Sequence, residues 1–238
     1  MRNLTNVRRR LIFFLTCLGL LALVIIIPYR TSLIRVGMLA LWCLAWAGLM
    51  ALAFRHRALR IALIVVTALS ALVLVINNSR TPDSDALRRR FVERLRDYDG
   101  VRYIYGGENH RGVDCSGLVR AAMVRALVDH GFASLDSGML RSAFTLWWHD
   151  TNAIQLGKGA GGLTLPIRDG SPMPMRAAQN LRPGDLAVTT SGSHVLAYLG
   201  DQRWIEADPD VARVQIVDLR TSHIADQEVS LVTWRWLR

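Results

Sequence analysis

The sequence predicts an α+β domain preceded by an apolar, all-helical segment. Three observations carry the prediction. Residues 1–79 hold three long apolar runs and no Asp or Glu. Beyond them, apolar residues recur at helical spacing from residue 84 and again from residue 115. From residue 185 the pattern changes to the two-residue alternation of strands. Helices first and strands after lead to a helix packed on an antiparallel sheet. The predicted division is 1–79 for the apolar segment and 80–238 for the folded domain.

The apolar runs cover about 11–27, 33–54 and 61–76. Each approaches the roughly 17–25 residues that cross a bilayer core of about 30 Å. A cleaved signal peptide is the rival reading of the first run, but Pro28-Tyr29-Arg30 follows it and no small-residue cleavage site does. Three runs in succession predict a multi-pass anchor in the inner, cytoplasmic membrane. Arg2, Arg8, Arg9 and Arg10 precede the first run, and Arg55, His56, Arg57 and Arg60 lie between the second and third. Cations mark the cytoplasmic side, so the N-terminus is expected inside and the domain outside, periplasmic or extracytoplasmic. Arg80 and Arg88-Arg89-Arg90 pull mildly the other way. The segment's expected partners are the lipid bilayer and, through small residues such as Gly37 and Gly48, another membrane protein. Residues 77–83 read as a linker.

The 238-residue chain has a formal net charge of +10. Nine of its 29 Lys and Arg, and none of its 19 Asp and Glu, fall within 1–79, which leaves +1 for the rest. A nucleic-acid surface would place the excess on the folded domain, so nucleic acid is excluded as a partner. Cys17 and Cys43 sit inside apolar runs, so Cys115 is the single thiol of the domain and no disulfide framework is available to it.

Ser84 is read as the cap of a helix with Leu87, Phe91, Leu95 and Tyr98 on one face and Arg88, Arg89 and Arg90 on the polar one. A second helix starts at Cys115, with Asp114 as N-cap and Gly131 as terminator. A lone cysteine is ordinarily a small buried hydrophobe. At a helix start, however, unpaired backbone N–H groups and the positive end of the dipole stabilise negative charge on sulfur. Cys115 is therefore a candidate nucleophile. His194 opens an alternating run and is its candidate base. No CxxC or HxxxH spacing accompanies either residue, so no metal and no cofactor is expected. His110, His130, His149 and His223 match no role and read as surface residues. Strands are predicted at 185–190, 194–199, 203–207, 213–219 and 229–237. The glycine- and proline-rich stretch between about 145 and 180 reads as a long loop beside the cleft.

Five pieces of sequence, in order, resemble the NlpC/P60 family of cysteine peptidases. They are 103–107, Asp114-Cys115-Ser116-Gly117, Leu140-Arg141-Ser142, Leu181-Arg182-Pro183-Gly184-Asp185-Leu186, and His194-Val195 with Tyr198-Leu199-Gly200. The resemblance spans about 84–238 and implies a papain-like fold. It implies Cys115 as nucleophile, His194 as base and, twelve residues later in the next strand, Glu206 as the group that orients the base. Members often carry His at that place, so Glu206 departs in identity while keeping the role. The implied oxyanion donors are the Cys115 backbone N–H and the Tyr103 hydroxyl. Asp114, Ser116 and Arg141 are implied to line the substrate subsites. The implied substrate is the peptidoglycan stem peptide, cut between D-γ-glutamyl and the diamino acid. Alternatives are an amidase or acyl-transfer reaction on another substrate, or an inactive envelope scaffold that binds through the same cleft.

Overall fold

The computed structural model describes residues 2–54, 56–75, 83–167, 171–219 and 223–238. The chain divides into two compact units, Met1–Asn77 and Asn78–Arg238.

The first unit contains α1 (Arg2–Ile26), α2 (Ser32–Ala53) and α3 (Arg57–Val75). Helix α1 stops ahead of Pro28, and Arg30 folds back so that its guanidinium donates to the carbonyls of Val24, Ile25 and Ile27. A cation there satisfies the carbonyls a helix leaves unpaired at its end. Thr31 caps α2. A side chain at Gly48 would press on Phe13 and Phe14, so the glycine lets α1 and α2 approach closely.

Among the described residues, two helices and not three are long and apolar enough to cross a membrane, Asn6–Ile26 and Ser32–Ala53. The third span expected at 61–76 is helical, but α3 carries Arg57 and Arg60 in its first turn. The outside position expected for the second unit rested on three crossings, and the described residues hold two candidate spans. Of the linker expected at 77–83, residues 77–82 lie outside the described residues, as do Arg55 and Arg80.

The second unit opens with α4 (Ser84–Arg96), capped by Asp83 rather than Ser84: Asp83 accepts from the Ala86 N–H at 3.0 Å. Its buried stripe is Leu87, Phe91 and Leu95. Arg88, expected on the polar face, is buried too. Its guanidinium donates to Asp185 Oδ1 at 2.9 Å, to the Pro183 carbonyl at 2.8 Å and to the Leu237 carbonyl at 2.7 Å. The 181–186 stretch is thus the socket for this arginine, and the paired, hydrogen-bonded charge tolerates its burial.

A short hairpin of β1 (Glu108–Asn109) and β2 (Gly112–Val113) leads into α5 (Cys115–Ser134). Helix α5 runs through Gly131 and ends at Leu135, which takes a left-handed conformation. Gly131 serves packing instead of termination: a side chain there would collide with Leu140 of α6 (Ser137–Trp148). Trp147 and Trp148 belong to the last turn of α6, stacked around Phe144, and not to a loop.

The stretch read as one long loop holds α7 (Ala153–Gly157), with a capping box of Asn152 and Gln155, then β3 (Thr164–Pro166) and β4 (Met173–Pro174). Both strands pair with the last strand, far ahead in sequence. The strands that follow are β5 (Leu186–Thr189), β6 (Val195–Gly200), β7 (Arg203–Asp208), β8 (Arg213–Asp218) and β9 (Glu228–Trp234). The sheet is antiparallel in the order β3-β9-β5-β6-β7-β8, with β4 also on β9. One face packs on α4 and α5 through Leu118, Ala122, Leu127, Phe91 and Trp234. The other packs Leu196, Trp204 and Leu231 against Met175 and its neighbours. Each large apolar side chain so buried contributes about 1.5–3 kcal/mol.

Candidate active site

The site begins with a close approach of backbones. Gly117, in the first turn of α5, lies against the Gly107 carbonyl, where any side chain would collide. Asp114 locks this arrangement. Its Oδ1 accepts from the Gly117 N–H at 2.6 Å, which caps the helix, and from Ser116 Oγ at 2.9 Å. Its Oδ2 accepts from the Gly106 N–H at 2.7 Å, which holds the glycine turn. Cys115 is therefore the first helical residue, with its neighbours fixed from both sides. It is buried, 8% exposed.

The turn between β5 and β6 delivers the histidine. Thr189 Oγ1 accepts from the His194 N–H at 3.0 Å, and the Gly192 N–H donates to the Thr189 carbonyl at 2.7 Å. Gly192 has a φ of +70°, and a side chain there would overlap Ile154 of α7. Helix α7 thus braces the turn that precedes His194. The carbonyl of Ser193 faces the Cys115 thiol, with Sγ 3.8 Å away.

His194 Nε2 donates to Glu206 Oε2 at 2.7 Å. Glu206 sits on β7 and is 1% exposed. The Cys115 side chain lies near enough to the ring to act on its charge. Burial alone would lower the His194 pKa; the hydrogen bonds and charges of Cys115 and Glu206 outweigh it and raise the pKa to about 9. The ring thus holds its proton at neutral pH, between a sulfur and a carboxylate. Cys115, His194 and Glu206, taken from three separate stretches of sequence, are brought together.

Tyr103 lies near enough for the charges of Cys115 and Asp114 to act on it. Burial first, then those charges, push its hydroxyl up to about 12, so it remains a proton donor. Its backbone N–H donates to the Ala212 carbonyl at 2.9 Å, which ties this strand-like segment to the turn after β7. Asp114 and Ser116 bond each other and the helix start. Arg141 lies on α6 and donates to Ser137 Oγ at 3.4 Å, within its own helix. Of the remaining histidines, His110 and His149 are exposed, and His110 stacks on Tyr98 at 4.1 Å. His130, expected at the surface, is buried, because it falls on the inner side of α5. The side chain of His223 lies outside the described residues.

Gln215 and Asp208 escape the sequence reading. Gln215 on β8 donates from Nε2 to Glu206 Oε1 at 3.2 Å and to Asp208 Oδ2 at 2.9 Å. The pairing Glu206↔Gln215 is a matter of register between β7 and β8. The period-two pattern locates the strands but not their partners.

A thiol at a helix start, with an imidazole between it and a buried carboxylate on an antiparallel sheet, defines an α+β protein with a candidate cysteine–histidine–carboxylate centre. The NlpC/P60 family model matches residues 100–233, more than half of the sequence. The chain belongs to the NlpC/P60 family. It is similar to an NlpC/P60 family protein from Bacillus cereus, at 20% identity and a TM-score of 0.41, covering 68% of this chain and 43% of that one. It is similar to the peptidoglycan hydrolase RipB from Mycobacterium tuberculosis, at 20% identity and a TM-score of 0.38, covering 63% and 65%. NlpC1 from Trichomonas vaginalis is matched at 19% identity and a TM-score of 0.40, over 62% and 43%. The chain thus spans less than half the length of the first and last of these. No curated protein matches the sequence closely enough to count as a relative.

Proposed function

We propose that the protein is a cysteine hydrolase of the cell envelope that cuts peptidoglycan stem peptides, at the amide between D-γ-glutamyl and the diamino acid. Family membership supports the substrate class, since members include peptidoglycan hydrolases such as RipB. The observation that carries the chemistry is the His194 ring, bonded to buried Glu206 at 2.7 Å and beside Cys115, whose Sγ lies 3.8 Å from the neighbouring Ser193 carbonyl.

In this reading Cys115 Sγ attacks the amide carbonyl, forming an S–C bond and placing the carbonyl electron pair on oxygen. The Cys115 backbone N–H at the helix start and the Tyr103 hydroxyl stabilise that oxyanion. His194 gives its proton to the nitrogen of the leaving amine as the C–N bond breaks. Water then attacks the thioester while His194 takes a proton from it, and the acid product and the thiolate separate. Glu206 holds the ring and its charge throughout. Asp114 acts through the helix start, with Ser116 and Arg141 lining the subsites.

Placement outside the cytoplasmic membrane rests on the substrate, which lies there, and α1 and α2 tether the domain near it. Digestion of purified muropeptides by the full chain, with Cys115→Ala beside it, tests the proposal. Release of fragments that begin at the diamino acid is the expected result; equal release by Cys115→Ala overturns it.

A further inference from the structure

We propose that Gln215 is a positioning residue, whose amide holds Glu206 in the rotamer that orients His194. This rests on the cysteine hydrolase reading and extends it to a residue with no contact to the thiol.

The need arises from the period of a strand. Glu206 and Asp208 are two apart on β7, so both carboxyl groups project from one face of the sheet, about 6–7 Å apart along the strand. Both are buried, at 1% and 8% exposure. Two acceptors side by side, away from water, repel each other and leave lone pairs unmet. An amide nitrogen carries two protons and no acceptor function. Gln215 Nε2 lies between the two carboxyl groups and donates to one oxygen of each. Glu206 then has one oxygen on His194 and the other on Gln215, so the carboxyl group cannot rotate without breaking a bond.

The clamp is itself anchored. Asp208 Oδ1 accepts from the Asp210 N–H at 2.7 Å and the Val211 N–H at 3.4 Å, which fixes the turn after β7. That turn supplies the Ala212 carbonyl to the Tyr103 N–H. A continuous set of bonds therefore runs from His194 through Glu206, Gln215 and Asp208 to the turn that holds Tyr103. Only the Gln215 link is a side chain from a strand with no other part in the site.

The test is a double-mutant cycle read on Cys115 itself. The full chain in detergent is treated with iodoacetamide at neutral pH, and alkylation of the Cys115 peptide is followed by mass spectrometry, apart from Cys17 and Cys43. Gln215→Met keeps the stem and removes both donors. It is expected to slow Cys115 alkylation by about ten- to hundredfold, the range of a lost bond to a charged group. In the Glu206→Ala background the same change is expected to slow it no further, because Gln215 acts through Glu206. Gln215→Lys restores a donor between the carboxyl groups and is expected to stay within a few fold of wild type. Equal slowing by Gln215→Met in both backgrounds means a general structural role and overturns the proposal, as does a wild-type rate in Gln215→Met. If the Met variant fails to melt cooperatively, Gln215→Ala, which removes both donors without adding bulk or charge, takes its place in the cycle with the same expectations. Absence of muropeptide cleavage with the cycle intact would sink the substrate reading and leave this proposal standing.

Discussion

Replacing Glu206 by Ala separates an orienting carboxylate from a passive strand residue. The bond lost is the 2.7 Å contact from His194 Nε2 to Oε2. A hydrogen bond to a charged group contributes about 1.5–3 kcal/mol, or about 10- to 150-fold in rate if it is felt fully in the transition state. Loss of the ring's fixed tautomer adds to this, so kcat is expected to fall by between a few tens and a few thousand fold, less than in Cys115→Ala. Glu206→His supplies a neutral acceptor and should recover part of the loss, with Glu206→Gln between Ala and wild type. The pH dependence gives the second readout. Burial lowers the His194 pKa, and Cys115 and Glu206 together lift it to about 9. Without Glu206 the balance moves toward burial, so the alkaline limb, where the ring loses its proton, should shift to lower pH. The same linkage acts on stability. The folded pKa lies above the ordinary value of about 6.5, so the ring's contribution is fully present below about 6.5 and is lost as pH rises through about 9. The Tm difference between wild type and Glu206→Ala should therefore narrow across that window. Full activity and an unmoved pH limb in Glu206→Ala, with Cys115→Ala dead, would place the orienting group elsewhere.

Three further outcomes are expected. Gly117→Ala drives a methyl group into the Gly107 carbonyl, so it should abolish activity and lower Tm, whereas Ala at Gly100, with open space around it, should keep activity despite its φ of +77°; an active Gly117→Ala would contradict the tight approach. Deleting 159–162 should lower Tm sharply, read by thermal melting, because those residues join α7 to β3, whose pairing with β9 would be strained; an unchanged Tm would show the strand to be dispensable. A reporter active only outside the cytoplasm, fused after Arg238, should be active; activity of a cytoplasmic reporter alone would contradict the envelope location.

The parts of this protein that are legible in sequence are those fixed by near neighbours. Asp114 caps the helix three residues on, and the alternation after 185 locates β5 to β9 to within a residue or two at most ends. Glu206 came into view only through the family resemblance; in the structure it stands on β7, and His194 lies in the turn just ahead of the neighbouring β6. What depends on distant partners was not legible. The three residues of β3 and two of β4 have no pattern of their own and become strands only by pairing with β9. Arg88 looks like a surface cation until Asp185 and two carbonyls, about a hundred residues and more away, meet it. Gln215 is one polar residue in an alternating strand, and only the β7–β8 register sets it opposite Glu206. The third predicted span at 61–76 is helical over its described part but is not among the two candidate spans of the described residues, and residue 76 lies outside them.

The central claim is that Cys115 becomes acylated by substrate. Mass spectrometry of the acid-quenched full chain during turnover of muropeptides tests it most directly. A thioester is expected on the Cys115 peptide, its added mass that of the acyl fragment ending at D-γ-glutamyl, present during turnover and gone when substrate is exhausted. Cleavage without any such adduct, and undiminished in Cys115→Ala, would contradict it.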